Sequence, residues 1–408
     1  MKILWVKAGG LVPVETGGKI RSYYILRELA REHEVTFFTF YAAHPDDAHP
    51  QLERLFHRVV CYPLRLPAQN SLGEGLLYAR HLFSSRPYSI AKYCQLQVAR
   101  ALRELVRTEP YDIIVCDFIF AGGVIPWEAR CPKVLFTHNV EAMIWKRHYQ
   151  VARNPIWKAV CWREHWAIAR AERLYLEQAD HVVTVSEIDR DFFARFIDAS
   201  KITAIPTGVD SEHFRPSPDQ EKPNVLIFTG SMDWLPNEDG VFYFAEEILP
   251  RIRRDIPETM VWIVGRRPSP HLKTLAAKTQ GLRVTGWVED IRPYVSDASV
   301  YIVPLRVGGG TRLKIFEAMA MGKAVVSTSI GAEGLPVEDG KNIFLADGPE
   351  QFARAVVTLL NDPARRCQLG RAARQLVERE CSWASVAARF DAVLRMSAGK
   401  RSMGFVER

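Results

Sequence analysis

The sequence predicts an α/β protein built from two doubly wound parallel-sheet domains in tandem. Three observations carry this. The chain has 408 residues, and a single hydrophobic core stops growing at roughly 250–300 residues. Short, nearly continuous apolar runs alternate with stretches of helical period, as in strands covered by helices on both faces. The alternation halts near residue 200 and resumes beyond a polar, proline-rich stretch from Pro216 to Pro223.

In the first half, Lys2–Val6 reads as a strand and Gly9–Gly18 as a Gly/Pro-rich loop. Lys19–Arg31 is expected to be helical, because Ile20, Tyr23, Tyr24, Leu26, Leu29 and Ala30 recur at helical spacing. Glu34–Tyr41 closes a strand–helix–strand unit. Asp112–Cys116, Lys133–Thr137 and His181–Val185 are further strands, with helical patterns at 95–108 and 157–178. Ile202–Ile205 is a short strand, and 206–223 reads as the interdomain connection. In the second half the expected strands are Val225–Phe228, Met260–Val264, Arg283–Thr285, Val300–Val303 and Ala324–Ser327. Helices are expected around 237–254, 269–279, 291–296 and 312–321, then over Glu350–Leu360, Pro363–Glu380 and Ser382–Met396. The domain ranges that follow are 1–200, 201–381, and a C-terminal helix and tail at 382–408 that should pack back on the first domain. No repeat of 20–50 residues is visible.

Composition is that of an ordinary globular protein, 48% hydrophobic and 25% charged. The net charge of +7 favours anionic partners, but the excess is not gathered into a block, and nucleic acid is not expected among them. Seven cysteines form no C-x-x-C pair, which argues against a zinc site or a disulfide framework and suits a reducing cytoplasm. The apolar start Met1–Val6 is too short for a signal peptide, and no run of about 18 uncharged apolar residues could span a membrane.

Ligands of doubly wound sheets bind beyond the carboxyl ends of the strands. The most informative strand-to-helix segment runs from Pro304 to Gly322. Gly308, Gly309 and Gly310 would let backbone amides approach a ligand, and Thr311 is a good N-cap for the next helix. A helix N-terminus is a ready anion site. Arg312 and Lys314 oppose the helix dipole, so they do nothing for the helix itself; a bound diphosphate would explain them. Glu317 lies seven residues after Gly310, roughly 10 Å along a helix. From there its carboxylate could accept hydrogen bonds from ribose hydroxyls. The alternative is a tight turn followed by a helix with a solvated glutamate.

The segment FEAMAMGKAVVST, Phe316–Thr328, resembles the signature of the retaining glycosyltransferases of family 4. Gly17-Gly18, the segments Thr137–Glu141, Ala179–Ser186 and Ile205–Asp210, Gly286–Asp290, and the helix after Ser382-Trp383 extend that resemblance over nearly the whole chain. It implies the GT-B fold: two Rossmann-like domains facing across a cleft, the N-terminal one binding acceptor and the C-terminal one nucleotide sugar. It implies transfer of a sugar from a nucleotide-diphosphate sugar to a glycan or lipid-linked acceptor with retention, with no cofactor and no metal. A subgroup associated with bacterial exopolysaccharide synthesis is similar in its GSMDW-like and GGGTRLK-like segments. The family commonly carries two glutamates separated by seven residues. The second matches Glu317, and the first would fall on Gly309. The family's Gly-Arg, with a Lys five residues on, is replaced by Gly230–Asn237 (GSMDWLPN), which has neither cation.

Candidate catalytic residues are therefore His138, Glu317, Arg312 and Lys314. Candidate donor-binding residues are Gly17, Gly18, Arg266, Val288, Gly308, Gly309, Gly310, Thr311 and Glu317. His138 follows a strand, and by the resemblance it lies by the donor sugar, in a positioning and hydrogen-bonding part. The alternative is a satisfied histidine at a strand end. Asn139 and Glu141 are further candidates. Arg266 could neutralise the leaving diphosphate or simply sit in a solvated turn. Four tryptophans (Trp145, Trp157, Trp162, Trp166) fall in 145–173 among Lys146, Arg147, Arg153, Lys158, Arg163, Arg170 and Arg173. This suits contact with the anionic inner face of the plasma membrane; the alternative is a core-packed helix with a solvated basic face. Rival functions are a nucleotide-sugar epimerase of the same fold and a catalytically degenerate nucleotide-sugar-binding protein. A dinucleotide-dependent dehydrogenase is disfavoured, because no G-x-G-x-x-G follows a strand.

Overall fold

The computed structural model describes all residues except 15, 42–48, 65, 68–70, 83, 153, 218–220, 308–312 and 404–408. The chain divides into two compact units, Met1–Ile205 with Val386–Arg408, and Pro206–Ser385.

The first unit holds a seven-stranded parallel sheet. Its strands are β1 (Lys2–Ala8), β2 (Glu34–Tyr41), β3 (Arg58–Pro63), β4 (Ile113–Asp117), β5 (Lys133–Phe136), β6 (His181–Thr184) and β7 (Ile202–Ala204). Their order is β3-β2-β1-β4-β5-β6-β7, so the direction of winding reverses between β1 and β4. Ile3, Leu4, Trp5 and Val6 are all fully buried, as a central strand covered on both faces requires. β3 was not anticipated: it holds the short apolar run Val59–Tyr62, but as an edge strand its residues are only partly buried or exposed. The helix Glu141–Val151 was also not anticipated. Because β7 pairs with β6, this unit ends at Ile205 rather than at the expected 200.

The C-terminal helix Trp383–Met403 contributes its later part to this unit. Phe390 is fully buried, with ring centroids 5.4 Å from Trp5 and 5.1 Å from Phe136. Asp391 bonds His33 at 2.7 Å.

The second unit holds a six-stranded parallel sheet of order β10-β9-β8-β11-β12-β13. The strands are β8 (Val225–Thr229), β9 (Met260–Val264), β10 (Leu282–Gly286), β11 (Val300–Val303), β12 (Ala324–Ser327) and β13 (Phe344–Leu345). The winding reverses between β8 and β11. The helix expected over 237–254 is instead Leu235–Tyr243, a π-helical turn Phe244–Ile248, and Leu249–Asp255. Pro250 cannot donate an amide hydrogen bond, and the wider turn absorbs the defect. The helix Leu313–Ala320 buries Ile315, Phe316, Ala318, Met319 and Ala320. It ends at Gly322, whose φ of +69° suits glycine, with Lys323 N donating to Ala318 O at 3.0 Å.

Candidate active site

In the first unit the reversal of winding brings the carboxyl ends of β1, β4 and β5 together. Lys7 ends the apolar part of β1, Asp117 closes β4, and His138 lies two residues beyond β5. All three are buried, as is Arg21 on the helix Gly17–Leu29. The Lys7 ammonium donates to Asp117 Oδ2 at 3.1 Å and to Ser22 Oγ at 3.0 Å. The Trp5 indole N–H donates to the same carboxylate oxygen at 2.8 Å. His138 Nε2 lies 2.7 Å from Asp117 Oδ1, and Arg21 Nη1 lies 3.2 Å from both His138 Nδ1 and the His138 carbonyl. Burial alone would raise the Asp117 carboxyl, but the Lys7 ammonium and the His138 bond outweigh it and hold it well below the usual range. Phe118, next in the chain, takes φ +72°, an uncommon conformation for a bulky residue, and sets its ring edge against His138.

His138 is thus satisfied on both ring nitrogens by Arg21 and Asp117, and neither these two nor the Lys7 that bonds Asp117 were singled out in sequence. The one available signal was a polar residue closing each apolar strand: Asp117 after Ile113–Cys116, and Lys7 after Ile3–Val6. Gly17 opens the helix after Thr16, which makes no side-chain cap bond, and no acid occupies the first turn. The α-carbon of Gly18 faces His138: a Cβ there would stand 3.6 Å from Nδ1. Asn139 and Glu141 begin the turn into the helix Glu141–Val151. Glu172 accepts from the Glu141 and Ala142 amides at 2.7 and 3.2 Å and so caps that helix from its neighbour. Burial pushes the Glu141 carboxyl up to about 7 and that of Glu172 up to about 8.

In the second unit, Lys314, Glu317, Arg266 and Val288 lie beyond the carboxyl ends of β11, β9 and β10. Lys314 Nζ donates to Asn237 Oδ1 at 2.7 Å and sits 4.1 Å from the centroid of the Phe228 ring. Asn237 Nδ2 donates to the Ser231 carbonyl at 2.8 Å. Gly230 makes room for both: a Cβ there would stand 2.6 Å from Lys314 Nζ and 2.7 Å from Asn237 Nδ2. Gly265 lets the loops after β8 and β9 meet, since its Cβ would fall 1.7 Å from the Gly230 carbonyl oxygen. Arg266 is exposed, with Nε donating to Ser231 Oγ at 2.9 Å. Val288 is partly buried against the core, beside an exposed Trp287. Glu317 is half-buried rather than solvated, and burial raises its carboxyl to about 7 against the opposing pull of Lys314. Gly308, Gly309, Gly310, Thr311 and Arg312 lie outside the described residues.

Among the described residues one His/carboxylate group has metal-like spacing, Glu32, His33 and Asp391. Arg395 bonds both Asp391 and Glu32, so a cation already occupies its acidic side.

The Trp-rich stretch spans the helices Glu141–Val151 and Pro155–Gln178. Trp157, Trp162 and Trp166 are 48%, 54% and 60% exposed, while Trp145 packs beside Trp157 with centroids 6.1 Å apart. Arg163 does not belong to a solvated face: it donates to the carbonyls of His81, Ser84 and Arg86. Glu164 and Glu172 are buried, which leaves the outer face more basic than a residue count suggests. Arg163 also lies over Tyr78 of the helix Leu72–His81, where Leu72 and Leu76 are 91% and 69% exposed. No described helix is long and apolar enough to cross a membrane.

Residues 16–213 match the family described as Glycosyltransferase Family 4, and residues 223–362 match that described as Glycosyl transferases group 1. Among similar proteins, an uncharacterised 44.6 kDa protein in the cps region of Klebsiella pneumoniae is 24% identical, over 87% of this chain and 90% of that one. A GDP-mannose-dependent α-(1-6)-phosphatidylinositol monomannoside mannosyltransferase of Mycobacterium tuberculosis is 25% identical, over 82% and 95%. Among solved structures, sucrose-phosphate synthase from Thermosynechococcus elongatus matches with a TM-score of 0.69 at 20% identity, over 97% of this chain and 98% of that one. Anabaena HepE in complex with UDP matches with a TM-score of 0.69 at 16% identity, over 97% and 100%. Both sheets, both family matches and the shared architecture agree: the chain belongs to the family 4 glycosyltransferases and has their two-domain GT-B fold.

Proposed function

We propose that the chain transfers a sugar from a nucleoside-diphosphate sugar to a glycan or lipid-linked acceptor, with retention of anomeric configuration, in the synthesis of a bacterial cell-surface polysaccharide. The observation that carries this is the meeting of Lys314, Asn237 and Gly230, with Glu317 one turn beyond Lys314, where the second sheet reverses its winding. That is where a doubly wound sheet holds a nucleotide. Lys314 Nζ lies against the loop after β8, where the family's two cations are missing from this sequence. It stands in for them, with Arg266 and Arg312.

In this reading the amides of Gly308–Thr311 and these cations stabilise the charge that grows on the leaving diphosphate. Removing one such preorganised donor typically costs roughly 3–4 kcal/mol. Dispersed cations do this work without a metal ion. Glu317 takes the ribose hydroxyls, Val288 lines the donor, and Gly17 and Gly18, held in place by His138, meet the sugar. The relatives named for a phosphatidylinositol mannoside acceptor and for the cps region support a lipid-linked or capsular acceptor. The exposed tryptophans of the Pro155–Gln178 helix, the leucines of Leu72–His81 and the basic residues Lys146, Arg147 and Lys158 support docking on the anionic inner face of the plasma membrane.

A panel of UDP, GDP and dTDP sugars, with release of nucleoside diphosphate followed by mass spectrometry, tests the assignment. Release of one diphosphate supports transfer. An isomerised nucleotide sugar without release would make the chain an epimerase, and binding without turnover a degenerate transferase. EDTA should leave the rate unchanged, and the anomeric configuration of the product tests retention. Sedimentation with phosphatidylglycerol vesicles tests the membrane contact; no binding at low salt ends that part.

A further inference from the structure

The directions of the hydrogen bonds around His138 follow from chemistry alone. A guanidinium carries only donors, so His138 Nδ1, 3.2 Å from Arg21 Nη1, must accept. An ionised carboxylate only accepts, so His138 Nε2, 2.7 Å from Asp117 Oδ1, must donate. The imidazole is therefore neutral, with its proton on Nε2. The other Asp117 oxygen is already engaged by Trp5 and Lys7. Ser22, which accepts from Lys7, donates in turn to the Gly18 carbonyl at 2.8 Å. The chain of bonds thus runs from β4 through His138 and Arg21, and through Lys7 and Ser22, to the first turn of the helix Gly17–Leu29.

We propose that Asp117 and Arg21 are positioning residues that lock His138 as the neutral Nε2–H tautomer and so set the end of β5 rigidly against the Gly17-Gly18 helix start. The part of this that concerns turnover rests on the donor-binding reading above; the tautomer does not.

The groups facing His138 are Lys7 from β1, Arg21 from the Gly17–Leu29 helix and Asp117 from β4, with the rings of Phe118 and Phe136 around it. Asp189, at the start of the helix Glu187–Phe193, adds its attraction to Arg21. A proton on Nδ1 would meet the Arg21 donor head on. In keeping with this, burial, with Lys7 and Arg21 adding to it, lowers the imidazole to about 4 against the pull of Asp117. His138 is then a fixed strut and not a carrier of protons during transfer.

Asp117→Asn reverses the arrangement without changing its shape. The new amide oxygen is claimed by Trp5 and Lys7, so its NH2 faces His138 Nε2. The ring must move its proton to Nδ1, where it opposes Arg21. A displacement of order 1 Å near reacting groups costs about 100-fold in rate.

The test uses the full chain with 15N-labelled histidine, followed by NMR from pH 8 to 5, the His138 signals being assigned by their loss in His138→Gln. In the wild type they are expected to keep the neutral Nε2–H pattern throughout. In Asp117→Asn they should show the Nδ1–H form, with kcat down about 100-fold and KM nearly unchanged. A wild-type His138 that titrates near 6.5, or that shows the Nδ1–H form, overturns the proposal without recourse to any variant. An Asp117→Asn protein that keeps wild-type kcat also overturns it. Failure of the donor assignment would appear separately, as no turnover across the sugar panel with the wild-type tautomer intact.

Discussion

Glu317→Gln should make the ligand-free protein more stable at alkaline pH while weakening nucleotide binding. The Glu317 carboxyl is raised from 4.5 to about 7, first by burial, with Lys314 opposing. An acid whose folded value lies above its unfolded one holds its proton more tightly when folded. Its stability contribution is intact below about 4.5 and is lost as pH rises through 7. At ~1.36 kcal/mol per unit, about 2.5 units set an upper bound of about 3.4 kcal/mol well above pH 7. Glu317 is half-buried, and solvent screening reduces this to about 1–2 kcal/mol. Glutamine has the same shape and no charge, so it escapes this cost. For a domain of 150–250 residues, ~1 kcal/mol corresponds to roughly 2–4 °C in Tm. The variant should therefore melt about 2–8 °C above wild type at pH 8.5, with a smaller difference at pH 5. Differential scanning calorimetry at the two pH values measures it. In the same samples, UDP or GDP should raise the Tm of the variant less than that of the wild type, because a neutral amide replaces a charged acceptor for the ribose hydroxyls. A variant no more stable than wild type at pH 8.5, or a difference independent of pH, would refute the burial argument.

Three further outcomes follow from the packing and the charges. Lys314→Met should lower kcat/KM for the donor by about 10²- to 10³-fold, measured in steady-state kinetics, since it removes a cation from the leaving diphosphate. Phe390→Ala empties a space enclosed by Trp5 and Phe136 and should cost about 3–5 kcal/mol in chemical denaturation of the first unit. Gly265→Ala drives a methyl into the Gly230 carbonyl, so it should destabilise by about 1–3 kcal/mol in urea and also reduce the thermal shift given by a nucleoside diphosphate.

What could be read from sequence depended on how local its cause was. β2, β9, β11 and β12 fall where their apolar runs lie, because a strand covered on both faces writes its burial into consecutive residues. β3 and β13 lie in short apolar runs too, Val59–Tyr62 and Ile343–Ala346, but one is a partly exposed edge and the other pairs over only two residues, so run and burial do not coincide there. The break in helix type at Phe244–Ile248 follows from how Pro250 is accommodated, which period alone does not reveal. Nothing in the local sequence marks Glu164 and Glu172 as buried, since a helical glutamate usually faces solvent. Each instead caps or anchors a neighbouring segment through backbone amides.

By itself the sequence determined the two alternating α/β halves, the strand ends at which ligands gather, and the family, through ordered segments such as Phe316–Thr328. These are properties of neighbouring residues, and period and turn chemistry record them directly. Only the tertiary structure decided that Lys7, Arg21, Asp117 and His138 form one buried chain of bonds, and that Lys314 reaches the loop at Gly230. Lys7 and Asp117 are 110 positions apart, and Lys314 and Asn237 are 77 apart. Strand order brings such residues together, and strand order results from the packing of the whole sheet and is written in no short stretch of chain.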